Sequence, residues 1–238
     1  MKKAIIFDLD NTLYDYDLCH KNGLEFSYKY LKEKYNVSFE DYIQLYNKVR
    51  KETHKELSGV SSSHNRIIYF KKLFMKLSSN FDSEFIISLY NSYYDGFFNQ
   101  MELFNGIEEV FEYLSSNNLK IAITTNLNSM IQLKKIEHLN ISKYLDAVIT
   151  SEEALREKPH SSIFLKTLHV LNVKTNEALM VGDNLEKDIK GATSLGIDSI
   201  LFDKNGDYKL NNPKLDHPFH IIQDMNLLKQ KLIELLSE

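Results

Sequence analysis

Four short stretches put reactive side chains at the ends of apolar runs. The first is "IIFDLDNTLYDYD" (5–17), where Asp8 and Asp10 follow Ile5-Ile6-Phe7. In an extended chain residues i and i+2 face the same way, so both carboxylates project on one side. Like charges that close repel unless something offsets them. A hard divalent cation such as Mg²⁺ suits carboxylate oxygens. With a cation present, one carboxylate can attack phosphorus while the other carries a proton. A second stretch ends in Thr124-Thr125-Asn126, whose hydroxyl and backbone N–H groups suit phosphate oxygens. A third, "SEEALREKPH", carries Lys158, which Pro159 biases toward an extended backbone. A lysine there reaches toward the same crevice and offsets negative charge. The fourth, "VGDNLEKDIKGA", sets Asp183 at a strand end and Asp188 in the first turn after it, a plausible cradle for a metal. Each stretch has an ordinary reading when taken alone: cap or turn aspartates, a capping Thr-Asn, a surface lysine, an acid near a helix N-terminus.

Position along the chain favours the chemical readings. Apolar runs at 3–7, 119–124, 147–150, 178–182 and 198–202 are short and nearly continuous. Strands buried on both faces of a parallel sheet read this way. Helical patterns at 161–171 and 186–195 lie between the later runs, and Gly196 stands where a helix C-cap belongs. Alternating strand and helix implies an α/β fold with a Rossmann-like, doubly wound parallel sheet. Ligands of such sheets bind at the carboxyl ends of the strands, where all four stretches fall.

Residues 15–96 break the alternation, since they contain no convincing strand. Leu24, Tyr28, Leu31 and Tyr35 recur at helical spacing. Ser38 with Asp41 makes a helix start before Tyr42, Leu45, Tyr46 and Val49. Further patterns run from Ile67 to Leu77 and from Ser83 to Phe97. The reading is therefore a core of 1–14 with 97–238, and an inserted α-helical cap domain at 15–96.

Composition bounds the rest. The 238 residues are 43% hydrophobic and 26% charged, which fits a soluble globular chain. A net charge of −4 with no basic stripe argues against a nucleic-acid polymer as partner. No run approaches a membrane span, and the short apolar start is cut off by aspartates. One cysteine, Cys19, excludes an intrachain disulfide and fits a cytoplasmic setting.

Taken in order, "DLDNT", "TTN", "EKP" and "GDNLEKD" resemble the four signature motifs of the haloacid dehalogenase (HAD) superfamily, across essentially the whole chain. The helical insertion resembles the cap of its subfamily I. The resemblance implies Asp8 as the nucleophile that forms an aspartyl-phosphate and Asp10 as general acid and base. Thr125 and the Asn126 backbone N–H would hold the phosphoryl group, and Lys158 would stabilise its charge. Mg²⁺ would be held by Asp8, Asp10 (through its main-chain carbonyl) and Asp183, supported by Asp188. The true dehalogenases of the family lack an aspartate two residues after the nucleophile, so Asp10 argues for phosphoryl chemistry. The expected activity is a Mg²⁺-dependent phosphatase acting on a small phosphorylated metabolite, with resemblance to nucleoside 5′-monophosphate phosphatases. His64 and Arg66, at a loop-to-helix boundary in the cap, are candidate specificity residues, although a solvated helix start explains them as well.

The alternatives are a sugar-phosphate phosphatase, a phosphosugar mutase of the same fold and a catalytically inactive binding scaffold. A receiver domain also gathers an acidic pair, a threonine and a lysine, but residues 50–60 offer no phosphoacceptor. Monomer and dimer are not distinguished by the sequence.

Overall fold

A computed structural model describes residues 1–208 and 219–237. The chain forms two compact units, Met1–Asp15 with Glu102–Glu238, and Tyr16–Met101.

The first unit is built on six parallel strands: β1 (Ala4–Phe7), β2 (Lys120–Thr125), β3 (Ala147–Thr150), β4 (Ala178–Gly182), β5 (Asp198–Phe202) and β6 (Phe219–Ile222). Their order is β3-β2-β1-β4-β5-β6, so the winding reverses at β1. The sheet is therefore doubly wound, and its crevice opens at that reversal. β1 is AIIF and fully buried, paired on one side from Ala4↔Lys120 to Phe7↔Ile123 and on the other from Ala4↔Ala178 to Phe7↔Val181. Its alternation feeds both faces of the sheet. Ala4 and Ile6 enter a core with Ile163, Phe164, Ala192 and Ile197. Phe7 points the other way, its ring 5.3 Å from that of Phe111.

Of the expected strands all five are present, and β6 is an addition at the edge. Helices α5 (Ile107–Ser116), α6 (Ser129–His138), α7 (Ser151–Ala154), α8 (Ser161–Leu171), α9 (Lys190–Thr193) and α10 (Leu228–Ser237) complete the unit. The single helix expected at 186–195 is instead a π-helical turn, Leu185–Ile189, followed by α9. Its end is as expected: Gly196 takes φ +74° and its N–H bonds to Thr193 O at 2.9 Å.

The second unit holds α1 (Tyr16–Lys32), α2 (Phe39–Glu56), α3 (Arg66–Leu77) and α4 (Ser83–Phe98), with no strand among its described residues. Side-chain caps start three of them. Ser38 accepts from Asp41 N at 3.1 Å, Asn65 from Ile67 N at 3.1 Å and Asp82 from Phe85 N at 2.9 Å. Because α4 runs on to Phe98, the units divide at Met101/Glu102 rather than at position 97. Tyr42, Tyr46, Tyr69 and Tyr93 are fully buried between these helices. Three of their hydroxyls find partners: Tyr42 at Ser27 Oγ (2.6 Å), Tyr69 at His54 Nε2 (2.7 Å) and Tyr93 at His20 Nδ1 (2.7 Å). The Tyr46 hydroxyl has no hydrogen-bond partner among the described residues, so three of these four packing rings are also tied by a polar contact and one is not.

Candidate active site

The carboxyl end of β1 supplies the first carboxylate. Asp8 N still donates to Val181 O at 2.9 Å, so its backbone is fixed by the sheet while its side chain leaves it. Asp8 is 6% exposed. Its Oδ1 accepts from Lys158 Nζ at 2.5 Å and its Oδ2 from Thr12 Oγ1 at 3.0 Å. Asn11 turns the chain with φ +64°, a left-handed conformation that asparagine tolerates, and this returns Thr12 toward Asp8. Thr12 Oγ1 also accepts from Asp183 N at 3.0 Å, linking the ends of β1 and β4.

Lys158 lies after β3 and α7, and its peptide bond to Pro159 is cis. It is buried, which rules out the surface-lysine reading. Besides Asp8 it donates to Thr124 O at 2.7 Å. Its Nζ is also 2.7 Å from Asp188 Oδ1, an ion pair lying off the directions of an aligned hydrogen bond. Asn126 braces the loop that carries this lysine. Its Oδ1 accepts from Lys158 N at 2.8 Å, so the Asn126 side chain is occupied and its backbone is what it can offer a phosphate.

The end of β4 supplies the remaining acids. Asn184 caps the π-helical turn, accepting from Glu186 N and Lys187 N at 3.1 and 2.9 Å. The wider turn brings Asp188 back against Gly182, where it accepts from Asn184 N at 3.0 Å. Only a glycine allows this approach: a Cβ on Gly182 would lie 2.5–2.6 Å from Asp188 Cβ, Cγ and Oδ2.

Carboxylate oxygens of Asp8, Asp183 and Asp188 all lie within 4.8 Å of one another. Three carboxylates around one ammonium leave two negative charges uncompensated. The strain shows in the acidities of Asp8 and Asp183. Burial pushes Asp8 up to about 6 against the pull of Lys158, with repulsion from Asp188 and Asp10 adding to it. Burial pushes Asp183 up to about 8, with Asp8 and Asp188 adding. An all-oxygen donor set with this charge deficit fits a divalent cation.

Asp10 is about a quarter exposed. Its Oδ1 accepts from the Tyr14 hydroxyl and, at 2.6 Å, from Lys135 Nζ. Gln132 Nε2 donates to Thr125 Oγ1 at 2.5 Å and lies 3.4 Å from Asp10 Oδ2. Lys135 and Gln132 come from α6 and are fully buried. Sequence reading did not single out either of them, nor Thr12.

His64 and Arg66 belong to the helical unit and are described within it. Arg66 is buried, not solvated. Its Nη1 donates to His64 O at 2.5 Å and its Nη2 to the Tyr16 hydroxyl, while Nε has no hydrogen-bond partner among the described residues.

Residues 5–202 match the family of haloacid dehalogenase-like hydrolases. The chain belongs to that family. Among its curated relatives, a ribulose-1,5-bisphosphate 5-phosphatase from Halopiger xanaduensis is 37% identical over 85% of each chain. A pyrimidine 5′-nucleotidase from Streptococcus pneumoniae is 26% identical over 84% of this chain and 83% of its own. The fold is shared with the crystal structure of a HAD phosphatase from Thermococcus onnurineus, at a TM-score of 0.75, 24% identity and 98% coverage of both chains. With such relatives, this HAD-like hydrolase is an enzyme of the phosphatase branch. Among its described residues no helix is long and apolar enough to cross a membrane.

Proposed function

We propose that the protein is a Mg²⁺-dependent phosphatase that hydrolyses a small phosphorylated metabolite through an aspartyl-phosphate. The observation that carries this reading is the convergence of Asp8, Lys158, Asp183 and Asp188 at adjoining strand ends.

Asp8 is the nucleophile. Its carboxylate oxygen bonds to phosphorus as the ester P–O bond breaks, and the departing oxygen takes a proton from Asp10. Asp10, now a carboxylate, accepts a proton from water as that water attacks the acyl-phosphate. The bond from phosphorus to Asp8 breaks, releasing inorganic phosphate and restoring Asp8. Lys158 offsets charge on Asp8 and on the transferring group, while Thr125 and the Asn126 N–H hold its equatorial oxygens. Fixed donors supply most of the help in such a reaction, because the transition state spreads charge over those oxygens. Asp8, the Asp10 carbonyl and Asp183 would hold Mg²⁺, with Asp188 in support, and the cation would supply neutralisation of charge on the phosphoryl group.

The 37% identical relative favours a sugar phosphate as substrate. The nucleotidase at 26% identity supports the second reading, a nucleoside 5′-monophosphate. Selection between them is assigned to the helical unit, with Arg66 and His64 as the residues to vary. A cytoplasmic location belongs to the same reading and is supported by the single, buried cysteine. The test is phosphate release from sugar phosphates and nucleoside monophosphates, with Mg²⁺ and with EDTA. Activity should need the cation and vanish in Asp8→Asn. An Asp8→Asn protein that turns over normally overturns the mechanism.

A further inference from the structure

Helix α6 buries two polar side chains beside two apolar ones. Gln132 and Lys135 share its buried face with Ile131 and Ile136, while Met130 and Leu133 are exposed, at 66% and 52%. Burying an ammonium is costly unless it is paired, and an apolar side chain of similar size is often the more stable choice. Packing therefore gives no reason for a lysine at 135. Its geometry gives one. Lys135 Nζ is 2.6 Å from Asp10 Oδ1, the same oxygen that receives the Tyr14 hydroxyl. One helical turn earlier, Gln132 donates to Thr125 at 2.5 Å. One face of α6 thus touches the proton carrier and the phosphate-binding hydroxyl together.

We propose that Lys135 is a positioning residue for Asp10. It works with Tyr14 to pin Oδ1, so that proton exchange with the leaving oxygen runs through Oδ2. The inference rests on the proposed role of Asp10. It adds that the acid is aimed by a buried cation from α6 rather than by its own strand end alone.

The assay is kcat/KM, which reports phosphoenzyme formation, across p-nitrophenyl phosphate, phenyl phosphate and an alkyl phosphate in saturating Mg²⁺. Nitrophenolate departs without a proton, whereas an alkoxide needs one. Acid catalysis contributes about 10²–10⁴-fold, and displacement of a catalytic group by about 1 Å loses about 10²-fold. Lys135→Met should therefore lose about 10- to 100-fold on the alkyl ester and less than about 3-fold on the nitrophenyl ester. Lys135→Arg should recover part of the alkyl rate. Tyr14→Phe, which keeps the buried ring, should show the same asymmetry to a lesser degree, and it decides the matter if Lys135→Met does not fold. Equal losses across the series in both variants, or no loss, overturn the proposal. Asp10→Asn separates the two levels. If it too lacks the asymmetry, the assigned role of Asp10 fails; if it shows the asymmetry and the Lys135 and Tyr14 variants do not, only the positioning role falls.

Discussion

Gly182→Ala tests the acidic cluster with a single methyl group. The new Cβ would sit 2.5 Å from Asp188 Cβ, about 0.9 Å inside ordinary contact, which begins near 3.4 Å. Asp188 cannot yield freely, because Lys158 holds one of its oxygens at 2.7 Å and Asn184 N the other at 3.0 Å. Either the carboxylate retreats or the β4 end moves, and both open the cluster. Overpacking of this kind costs about 1–3 kcal/mol. For a chain of this size that lowers Tm by about 2–12 °C. Disturbing a group that supports a metal ligand typically costs about 10- to 100-fold in affinity. The Mg²⁺ concentration for half-maximal activity should rise by that factor, measured as initial rates against Mg²⁺ with Tm in parallel. Gly196→Ala is the matched control. There a Cβ meets nothing within 4 Å, but φ +74° strains any L-residue. It should cost about 1–2 kcal/mol of stability and leave the Mg²⁺ dependence as it was. A Gly182→Ala enzyme with wild-type Mg²⁺ dependence and kcat/KM would refute the assignment of Asp188 to the metal site.

Two further predictions concern buried charge. Lys158→Met strands two carboxylates and a carbonyl, so the variant should be destabilised by about 3–5 kcal/mol in EDTA. On the proposed reading Mg²⁺ binds the folded cluster, and binds the variant more tightly because the competing ammonium is gone, so the gap in Tm should narrow as Mg²⁺ is added; a constant gap counts against a cation there. In the helical unit, burial lowers His20 to about 3, with Arg66 and Arg50 adding to it. Around its ring stand Tyr16 of its own helix, Tyr46 of α2 and Tyr93 of α4. Below its unfolded value near 6.5 the unfolded chain takes up a proton that the folded one refuses. Stability is thus fully present above that value and falls as pH drops, by about 2 kcal/mol at pH 5. Urea titrations at pH 7, 6 and 5 should show a shallower decline in His20→Gln; equal slopes would remove His20 as the cause.

The sheet was legible because β1 through β5 are continuous apolar runs, and Asp8, Lys158 and Asp183 could be placed because each follows one of them. What β1 offers in four residues, β6 does not: three of its four positions are only partly buried, and an edge strand of that kind leaves a weak pattern. The π-helical turn is indistinguishable from plain helix in the sequence, since a widened turn around Asp188 has the same residue types as a regular one. Lys135 and Gln132 share the buried face of α6 with Ile131 and Ile136, and by residue type alone a lysine and a glutamine belong to solvent, so the pattern does not reveal them. Thr12 stood inside a quoted motif, but its tie from Asp8 to Asp183 depends on the left-handed turn at Asn11, which spacing does not reveal.

The central place of β1 also bears on how the chain is made. The strand that delivers the proposed nucleophile leaves the ribosome before either of its neighbours exists. Ala4 must wait for Lys120 on one side and Ala178 on the other. At about 5–20 residues per second, that leaves an apolar, unpaired segment exposed for on the order of 10 s. The helices of Tyr16–Met101 meanwhile have all their own partners to hand. The unit that carries the candidate site is therefore the last whose strand pairings can be completed, and the interval before β4 emerges leaves β1 open to mispairing and to chaperones.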